Sequence, residues 1–316
     1  MAQNIALIGE CMLELTRQAQ AQMGSSLPMN LSYGGDTLNC AVYLARQGVA
    51  VDYVTALGDD PMSAWMAAQW REQGVACDLI DYQPNAVPGI YLVETDDQGE
   101  RSFYYWRDSA PARRLFDDPA RADHLFAQLA AHRCICVSGI SLAIYSESSR
   151  QRLFAKLAQY RGNGGKVVFD SNYRPKLWSG EEVTRQSYEA MYKLTDIALP
   201  TIEDEQQVFG DADQNGVIDR LHSWGVAEIA LKMGPRGCLV VSGDTRELVA
   251  ANKVAVVDTT SAGDSFNAAY LAARLSGQSV SGAAKAGHRL ASVVIQHRGA
   301  IIPIGDMPPL SAQPSD

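Results

Sequence analysis

The chain has 316 residues, 47% of which are hydrophobic, and its 36 acidic and 27 basic residues give a formal net charge of -9. This length can bury a large core, and we expect a single domain over residues 1–316. The acidic balance disfavours non-specific binding to nucleic acid or to an anionic membrane, because both require a basic surface, so we expect a small-molecule partner.

The six cysteines are scattered along the chain, with no CxxC motif and no spacing typical of a zinc site. We therefore predict reduced, buried thiols. The first residues, MAQNIALIGECMLEL, lack the basic region and the cleavage site of a signal peptide, and no apolar run approaches the ~18 residues that cross a bilayer. These features favour a cytoplasmic protein that has no membrane partner.

Short apolar runs alternate with helical patterns along most of the chain. The runs that we predict as buried strands are residues 4–9, 51–58, 134–139, 166–170, 197–200, 228–234 and 238–243. The segments that we predict as helices are residues 37–48, 63–74, 148–165, 215–225 and 264–277. Strands that alternate with helices of this length indicate βαβ units, and the sequence therefore predicts a three-layer α/β fold.

One stretch departs from this alternation. It holds two runs with the period of two that is typical of strands, separated by the turn signal DDQG, and it predicts a hairpin outside the main sheet. The alternation places Tyr105 and Arg107 on one face of that hairpin. The segment that follows the first strand is also β-like. We predict that about 11–35 and 88–110 form a small β-sheet that covers a site as a lid.

The stretch DTTSAGDSF, residues 258–266, combines small residues with two aspartates at the start of a predicted helix. Small residues allow a turn in which consecutive backbone N–H groups converge, and the helix adds its free amides and its dipole. Such a turn suits the oxygens of a phosphoryl group in transfer. Asp264 beside it is placed to accept the proton of an attacking hydroxyl. An aspartate that only caps the helix fits the local sequence equally well.

The stretch YGGDTLN, residues 33–39, precedes another predicted helix. Its two glycines permit a close approach of the backbone to a ligand, and Asp36 and Asn39 offer hydrogen-bonding groups to the hydroxyls of a polyol. A tight turn with a capping residue is the alternative interpretation.

Two more polar stretches follow predicted strands. DSNYRP, residues 170–175, lies where ligands bind in open α/β sheets, and Arg174 is suited either to a carboxylate or phosphate or to an exposed salt bridge. LKMGPRG, residues 231–237, places Lys232 and Arg236 beside a turn that either flanks a nucleotide or simply joins two strands.

Two nucleotide-binding motifs are absent from the sequence. It contains no GxxxxGK[ST] loop, and no GxGxxG follows the first predicted strand. The main sequence evidence for a P-loop enzyme or for a dinucleotide-dependent dehydrogenase is therefore missing.

Taken in order, GGDTLN, DSNYRP, LKMGPRG and DTTSAGDSF resemble the motifs of the ribokinase-like PfkB carbohydrate kinases, over nearly the whole chain. The resemblance implies a ribokinase-like three-layer α/β/α sandwich with a small β-sheet lid, and a kinase that uses ATP with Mg²⁺. Through GERSFYYWR, SGISLAI and FDSNYRPKLW the chain is most similar to the group that phosphorylates the terminal hydroxyl of the sugar acid 2-keto-3-deoxygluconate. Arg107 and Arg174 are the arginines available there for a substrate carboxylate.

The resemblance also implies roles by position. Asp264 matches the catalytic base of the family, and its anion hole is matched by Ser261, Ala262 and Gly263. The residues that match substrate contacts, besides Asp264, are Gly34, Gly35, Asp36, Asn39, Tyr91, Tyr105, Arg107 and Arg174. The residues that match ATP contacts are Asn172, Arg174, Lys232, Gly234, Arg236, Gly237 and Gly263. Between Tyr104 and Tyr105 the strand alternation favours Tyr105, because it shares a face with Arg107.

Three positions depart from the family pattern. Thr37 stands where the signature prefers a smaller residue. The NxxE element, with which many members organise Mg²⁺, is TIED here, with Thr201 in place of Asn and Asp204 in place of Glu. We predict that Asp204 holds the metal through water, because its side chain is one methylene shorter than that of Glu.

Other functions stay open on the sequence. A kinase for a neutral sugar, such as a fructokinase or a ribokinase, fits the same motifs, and a sugar-binding regulator without catalysis fits the same fold. We also expect a homo-oligomer, since the exposed edges of a lid sheet invite pairing with a second copy.

Overall fold

The computed structural model describes residues 4–17, 26–95 and 101–308, which form a nine-stranded and a four-stranded sheet with helices between the strands. The strands are β1 (Asn4–Ile8), β2 (Met12–Arg17), β3 (Met29–Gly34), β4 (Ala50–Gly58), β5 (Ile80–Gln83), β6 (Ile90–Thr95), β7 (Arg101–Trp106), β8 (Cys134–Ser138), β9 (Lys166–Asp170), β10 (Ile197–Ala198), β11 (Glu228–Lys232), β12 (Cys238–Ser242) and β13 (Thr245–Val249). The α-helices are α1 (Asp36–Arg46), α2 (Pro61–Glu72), α3 (Pro119–Leu129), α4 (Gly139–Ile144), α5 (Glu147–Gly162), α6 (Glu181–Tyr192), α7 (Ile202–Phe209), α8 (Gln214–Ser223), α9 (Ala262–Leu275) and α10 (Val280–Val294).

The large sheet has the order β13-β12-β11-β10-β9-β8-β1-β4-β5. From β5 to β11 neighbouring strands run parallel, as the βαβ pattern predicts. The strands β12 and β13 continue the sheet in antiparallel fashion. Residues 233–237, which separate β11 from β12, are too few for a parallel crossover, so this connection is a hairpin.

Helices cover both faces of the large sheet. In β1 the side chains of Ile5 and Leu7 pack into one apolar core, and those of Ala6 and Ile8 pack into a second core on the other side. The first core includes residues of α1, α2, α9 and α10, and the second includes residues of α3, α5, α6, α7 and α8. Burial on both faces explains why β1 has a continuous apolar sequence, and the predicted three-layer α/β/α fold is confirmed.

Local sequence signals fix several helix ends. Asp60 accepts hydrogen bonds from the backbone N–H groups of Met62 (2.8 Å) and Ser63 (3.2 Å), and Pro61 occupies the first position of α2. After α1 the chain turns at Gly48, whose φ of 79° is in the left-handed region that glycine adopts readily. These signals lie within three residues of the helix bounds that the sequence predicts.

The four-stranded sheet has the order β3-β2-β6-β7, in which β2 pairs antiparallel with β3 and parallel with β6, and β6 pairs antiparallel with β7. Its strands lie inside the segments 11–35 and 88–110, so the predicted small sheet is confirmed. The predicted DDQG turn, residues 96–99, lies outside the described residues.

All six cysteines are free and buried, in agreement with the prediction from their spacing. Across the parts of the chain that the structure describes, none of the helices combines the length and the apolar character that a membrane span requires.

Candidate active site

Helix α9 begins two residues earlier than the sequence pattern predicts. It starts at Ala262, and Ser261 before it has a left-handed backbone with a φ of 61°. A residue with a Cβ atom is strained in this region, and such strain is common at functional turns. The N–H of Ala262 donates to Thr259 O at 3.2 Å, so Gly263 and Asp264 supply the first-turn amides that have no acceptor within the helix. This end of α9 therefore presents an anion site beside a carboxylate.

Asp264 is largely withdrawn from solvent at this helix end, with part of the residue still accessible. The pKa of Asp264 is raised to about 7, chiefly by burial and then by the nearby charges of Asp36 and Asp170, whereas a hydrogen bond from Asn39 lowers it. That bond runs from Asn39 Nδ2 to Asp264 Oδ2 and measures 2.9 Å. A buried aspartate with a pKa near neutrality suits a general base, because it is both basic and ionised at working pH.

The predicted sugar loop lies directly against the loop that follows β1. A Cβ atom on Gly35 would come within 2.3 Å of Glu10 O, and one on Gly34 would come within 2.3 Å of the Tyr91 hydroxyl. Both glycines are therefore required by close packing. The loop leads into α1, which delivers Asp36 in its first turn and Asn39 one turn later.

The loop after β9 is fixed by two carboxylates from other elements. Asn172, at a left-handed φ of 29°, donates from Nδ2 to Asp36 Oδ2 at 2.7 Å. Asp204 Oδ2 accepts from Ser171 Oγ at 2.8 Å and from the N–H of Tyr173 at 3.2 Å. Burial raises the pKa of both Asp36 and Asp204. Asn172 thus contacts the sugar loop, and Asp204 holds the loop that carries Asn172.

A cluster of charges lies between these loops. Asp36, Asp170 and Asp264 line a small cavity of about 10 Å³. Lys232, at the end of β11, donates from Nζ to Asp170 Oδ1 at 2.9 Å and to Asn267 Oδ1 at 3.0 Å. A Cβ atom on Gly263 would lie 3.7 Å from the same Nζ, so the ammonium group is next to the α9 anion site.

A larger cavity of about 520 Å³ opens beside Lys232 and the start of α9. Of the predicted ATP residues it is lined by Lys232, Gly234, Gly237 and Gly263. Its lining also includes Val254, Val256, Phe266, His288 and Ile295. This volume and the mixture of apolar walls with a few polar groups are typical of a small-molecule site. Arg236 does not line the cavity; its side chain is 58% exposed and lies 3.9 Å from Glu203.

On the small sheet the predicted contacts lie together. The rings of Tyr91 and Tyr105 stack with their centroids 5.9 Å apart, and the guanidinium of Arg107 lies 6.0 Å from the centroid of Tyr105. The charges of Arg107 and Arg174 oppose the rise that burial causes in the pKa of Tyr105, so Arg174 of the loop after β9 lies near this sheet.

Arg107 is also paired with a residue that sequence reasoning missed. Arg107 Nη2 donates to Glu10 Oε2, and the two side chains are 7% and 1% exposed. Glu10 follows β1 at the carboxyl edge of the sheet. A polar residue just after a strand is the same signal that identified residues 170–175 as a candidate site, so it could also have identified Glu10. Asn267 was missed as well, although it lies one turn after Asp264 on the same helix.

Residues 2–307 match the family model that is described as pfkB family carbohydrate kinase. The chain belongs to this family. Relatives of this pfkB kinase include the 2-dehydro-3-deoxygluconokinases of Dickeya dadantii (50% identical, covering 96% of this chain and 98% of that protein) and of Escherichia coli K12 (46% identical, covering 98% and 100%). The enzyme of the same name from Haemophilus influenzae is 39% identical and covers 94% and 95%.

Solved structures show the same fold. The 2-dehydro-3-deoxygluconokinase of Thermotoga maritima superposes with a TM-score of 0.84 at 20% identity, covering 96% of this chain and 95% of that one. Fructokinase with bound ATP from Xylella fastidiosa superposes with a TM-score of 0.82 at 22% identity, covering 98% and 96%. The ribokinase-like fold and the PfkB family, both predicted from the motifs, are confirmed.

The residues of this pfkB kinase fit ATP, because the 520 Å³ cavity opens at the α9 anion site. They fit Mg²⁺ in a less direct way. Within the described ranges no three His, Cys, Asp or Glu side chains form a group that could hold a metal ion. Mg²⁺ commonly keeps several waters and binds substrate phosphates with one or two carboxylates, and Asp204 is a carboxylate suited to hold such a water.

Proposed function

We propose that the protein is a 2-keto-3-deoxygluconate kinase, the sugar acid also being called 2-dehydro-3-deoxygluconate. It transfers the γ-phosphoryl group of ATP to the terminal hydroxyl and forms 2-keto-3-deoxy-6-phosphogluconate. Near-full-length relatives of that name support the substrate. The observation that carries the chemistry is the Asn39–Asp264 hydrogen bond, because it joins the sugar loop to the anion site. Residues 1–316 then act as one kinase domain, with the small sheet as its lid.

Asp264 accepts the proton of the terminal hydroxyl as that oxygen attacks the γ-phosphorus, and ADP leaves. Its pKa of about 7 makes it more basic than an exposed aspartate. The first-turn amides of Gly263 and Asp264 and the ammonium group of Lys232 bind the oxygens of the transferred group, where negative charge spreads in the transition state.

The sugar acid lies beside the loop of Gly34 and Gly35 and beside the lid tyrosines that pack near it. Its hydroxyls are held by Asp36 and Asn39. Its carboxylate is held by an arginine on the lid side. Of the two candidates we favour Arg174, because Arg174 is exposed and Arg107 already has the Glu10 carboxylate as a partner.

ATP occupies the 520 Å³ cavity, with Gly234 and Gly237 beside the nucleotide and with Asn172 on the phosphate side. Gly237 has a φ of 105°, and a Cβ there would lie 2.2 Å from Val249 O, so this turn tolerates no side chain. Mg²⁺, held by the phosphates and by water on Asp204, would neutralise charge on the phosphate oxygens.

A second candidate is a kinase for a neutral sugar. The Glu10–Arg107 ion pair favours it, because Glu10 compensates the charge of one of the two predicted carboxylate-binding arginines. An ADP-release assay over 2-keto-3-deoxygluconate, 2-keto-3-deoxygalactonate, gluconate, fructose and ribose decides between them. We expect the highest kcat/KM with 2-keto-3-deoxygluconate, and a higher value with fructose or ribose would contradict the proposed substrate.

The kinase acts as a cytoplasmic homo-oligomer in this proposal. The outer strands of the small sheet are β3 and β7, and the face opposite Tyr91 exposes Leu31, Tyr104 and Trp106, which are 44%, 47% and 61% accessible. Such a surface is suited to a second copy. Sedimentation analysis of wild type and of Trp106→Glu tests this: the variant should shift to the monomer, and a monomeric wild type would contradict it.

A further inference from the structure

Four side chains form a row across one face of the small sheet. The strand register pairs Ser32 with Glu14, Glu14 with Tyr91, and Tyr91 with Tyr105. Ser32 Oγ donates to Glu14 Oε1 at 3.0 Å, and the Tyr91 hydroxyl donates to Glu14 Oε2. We call Ser32, Glu14, Tyr91 and Tyr105 the Glu14 row.

The Glu14 row lies against the predicted sugar loop. The Cβ that glycine lacks at Gly34 would lie 2.3 Å from the Tyr91 hydroxyl and 3.6 Å from Glu14 Oε2. The absence of a side chain at Gly34 therefore makes room for the Tyr91–Glu14 hydrogen bond. Glu14 and Ser32 are partly exposed, Tyr105 is 52% exposed and Tyr91 is 9% exposed, so each member of the row keeps some accessible surface.

The direction of these hydrogen bonds decides what the row can bind. A serine or tyrosine hydroxyl has a single proton, whereas an ionised carboxylate accepts only. Because Glu14 takes the protons of Ser32 and Tyr91, both hydroxyl oxygens present lone pairs to the cleft. We propose that Glu14 is a specificity-determining residue, which turns Tyr91 and Ser32 into acceptors for a hydroxyl group of the sugar acid.

This inference rests on the proposed function and deepens it. A substrate carboxylate has no proton to donate, and the charge of Glu14 repels it. The carboxylate end is therefore directed toward Arg174 and Arg107, and a secondary hydroxyl is directed toward Tyr91. Sites that bind a substrate hydroxyl with buried polar groups discriminate strongly against analogues that lack or misplace it.

The test uses Glu14→Gln, Tyr91→Phe and the double variant of the full-length protein. Glutamine has the shape of glutamate, but its amide donates a hydrogen bond and so reverses the polarity at one of the two hydroxyls. We expect each single change to raise the KM for the sugar acid roughly 2- to 10-fold, the usual effect of losing a hydrogen bond between neutral groups. The KM for ATP should change less than about twofold, and the double variant should be no worse than the worse single variant.

Glu94→Gln is the matched control, since Glu94 lies on the same strand as Tyr91 but on the opposite face, where it is exposed. It should leave the KM for the sugar acid unchanged. Ser32→Ala is a milder second variant in case Glu14→Gln fails to fold, and it should raise the same KM without lowering the melting temperature. An unchanged KM in these variants, or effects that multiply in the double variant, would overturn the proposal.

The panel of wild-type substrates separates this proposal from the proposed function. If wild type prefers another sugar, the substrate assignment fails, and the same variants are then assayed with the preferred sugar. If Glu14 has the proposed role, each single variant must raise the KM for that sugar, and the double variant must raise it no further. If the KM does not rise, the role of Glu14 is contradicted and the proposed function is not.

Discussion

The side-chain amide of Asn39 in α1 donates a 2.9 Å hydrogen bond to the Asp264 carboxylate in α9, across 225 positions of sequence. An amide donor favours the ionised carboxylate, so this bond opposes the rise in the pKa of Asp264 that burial causes. The residue that is expected to contact the sugar is thus also bonded to the predicted base. The Asn39–Asp264 hydrogen bond therefore links the residue that is expected to bind a sugar hydroxyl to the residue that is expected to accept the proton.

Replacement of Asp264 by Asn should remove the base and preserve the shape of the site. We expect kcat to fall by roughly 10²- to 10⁴-fold, the usual range for loss of a general base, because the hydroxyl proton then has no acceptor. Affinity for ATP, measured by calorimetry, should stay within about twofold. Asp219→Asn, on the exposed face of α8, is the control and should behave as wild type. Activity of Asp264→Asn within tenfold of wild type would rule out the assignment.

The pH dependence of kcat/KM should report the Asp264 carboxyl. The base acts in its ionised form, so activity should fall as the pH drops through about 7, the pKa of the buried carboxyl. Asn39 lowers that pKa, and Asn39→Ala should therefore shift the acidic limb of the profile to higher pH. Rate profiles of both proteins between pH 5 and 9 measure the shift. A limb that stays in place would show that Asn39 does not tune the base.

The sequence predicted the large elements because their signals are local. β1 and β8 are continuous apolar runs, and α2 begins at an Asp-Pro pair that caps it. Helix α10 was not predicted, since many of its positions are Ala, Gly or Ser rather than large apolar residues. The motifs likewise identified the family, because the order and spacing of the four loops can be seen directly in the sequence.

The partners of the site residues were not accessible to sequence reasoning. Lys232 bonds Asp170 and Asn267, and Arg107 pairs with Glu10, across separations that no local pattern encodes. The start of α9 was placed at Asp264 because the small residues before it read as a loop. The structure begins the helix at Ala262, since Ser261 adopts a left-handed conformation that completes the turn.

Gly35→Ala should damage the sugar site specifically. The new methyl group would lie 2.3 Å from the backbone oxygen of Glu10. Neither the methyl carbon nor this oxygen can rotate away as the end of a side chain does, so the loop must move. We expect the KM for the sugar acid to rise at least about tenfold, since the displaced loop carries Asp36 and Asn39. Gly162→Ala at the end of α5 is the control, because a Cβ there has no neighbour within 4 Å. Equal sugar KM values for Gly35→Ala and wild type would contradict the packing argument.

The two lid-side arginines should fail in different ways. Arg107→Ala leaves Glu10 buried without its partner, and breaking a buried ion pair in this way costs about 3–5 kcal/mol of folding stability. Adding Glu10→Gln should restore part of the loss, because the unpaired charge is then absent. Arg174 is exposed, so Arg174→Ala should keep wild-type stability and raise the KM for the sugar acid far more than that for fructose. Denaturant unfolding and steady-state kinetics measure the two effects. If Arg174→Ala raised both KM values equally, Arg174 would serve ATP or the loop rather than the substrate carboxylate.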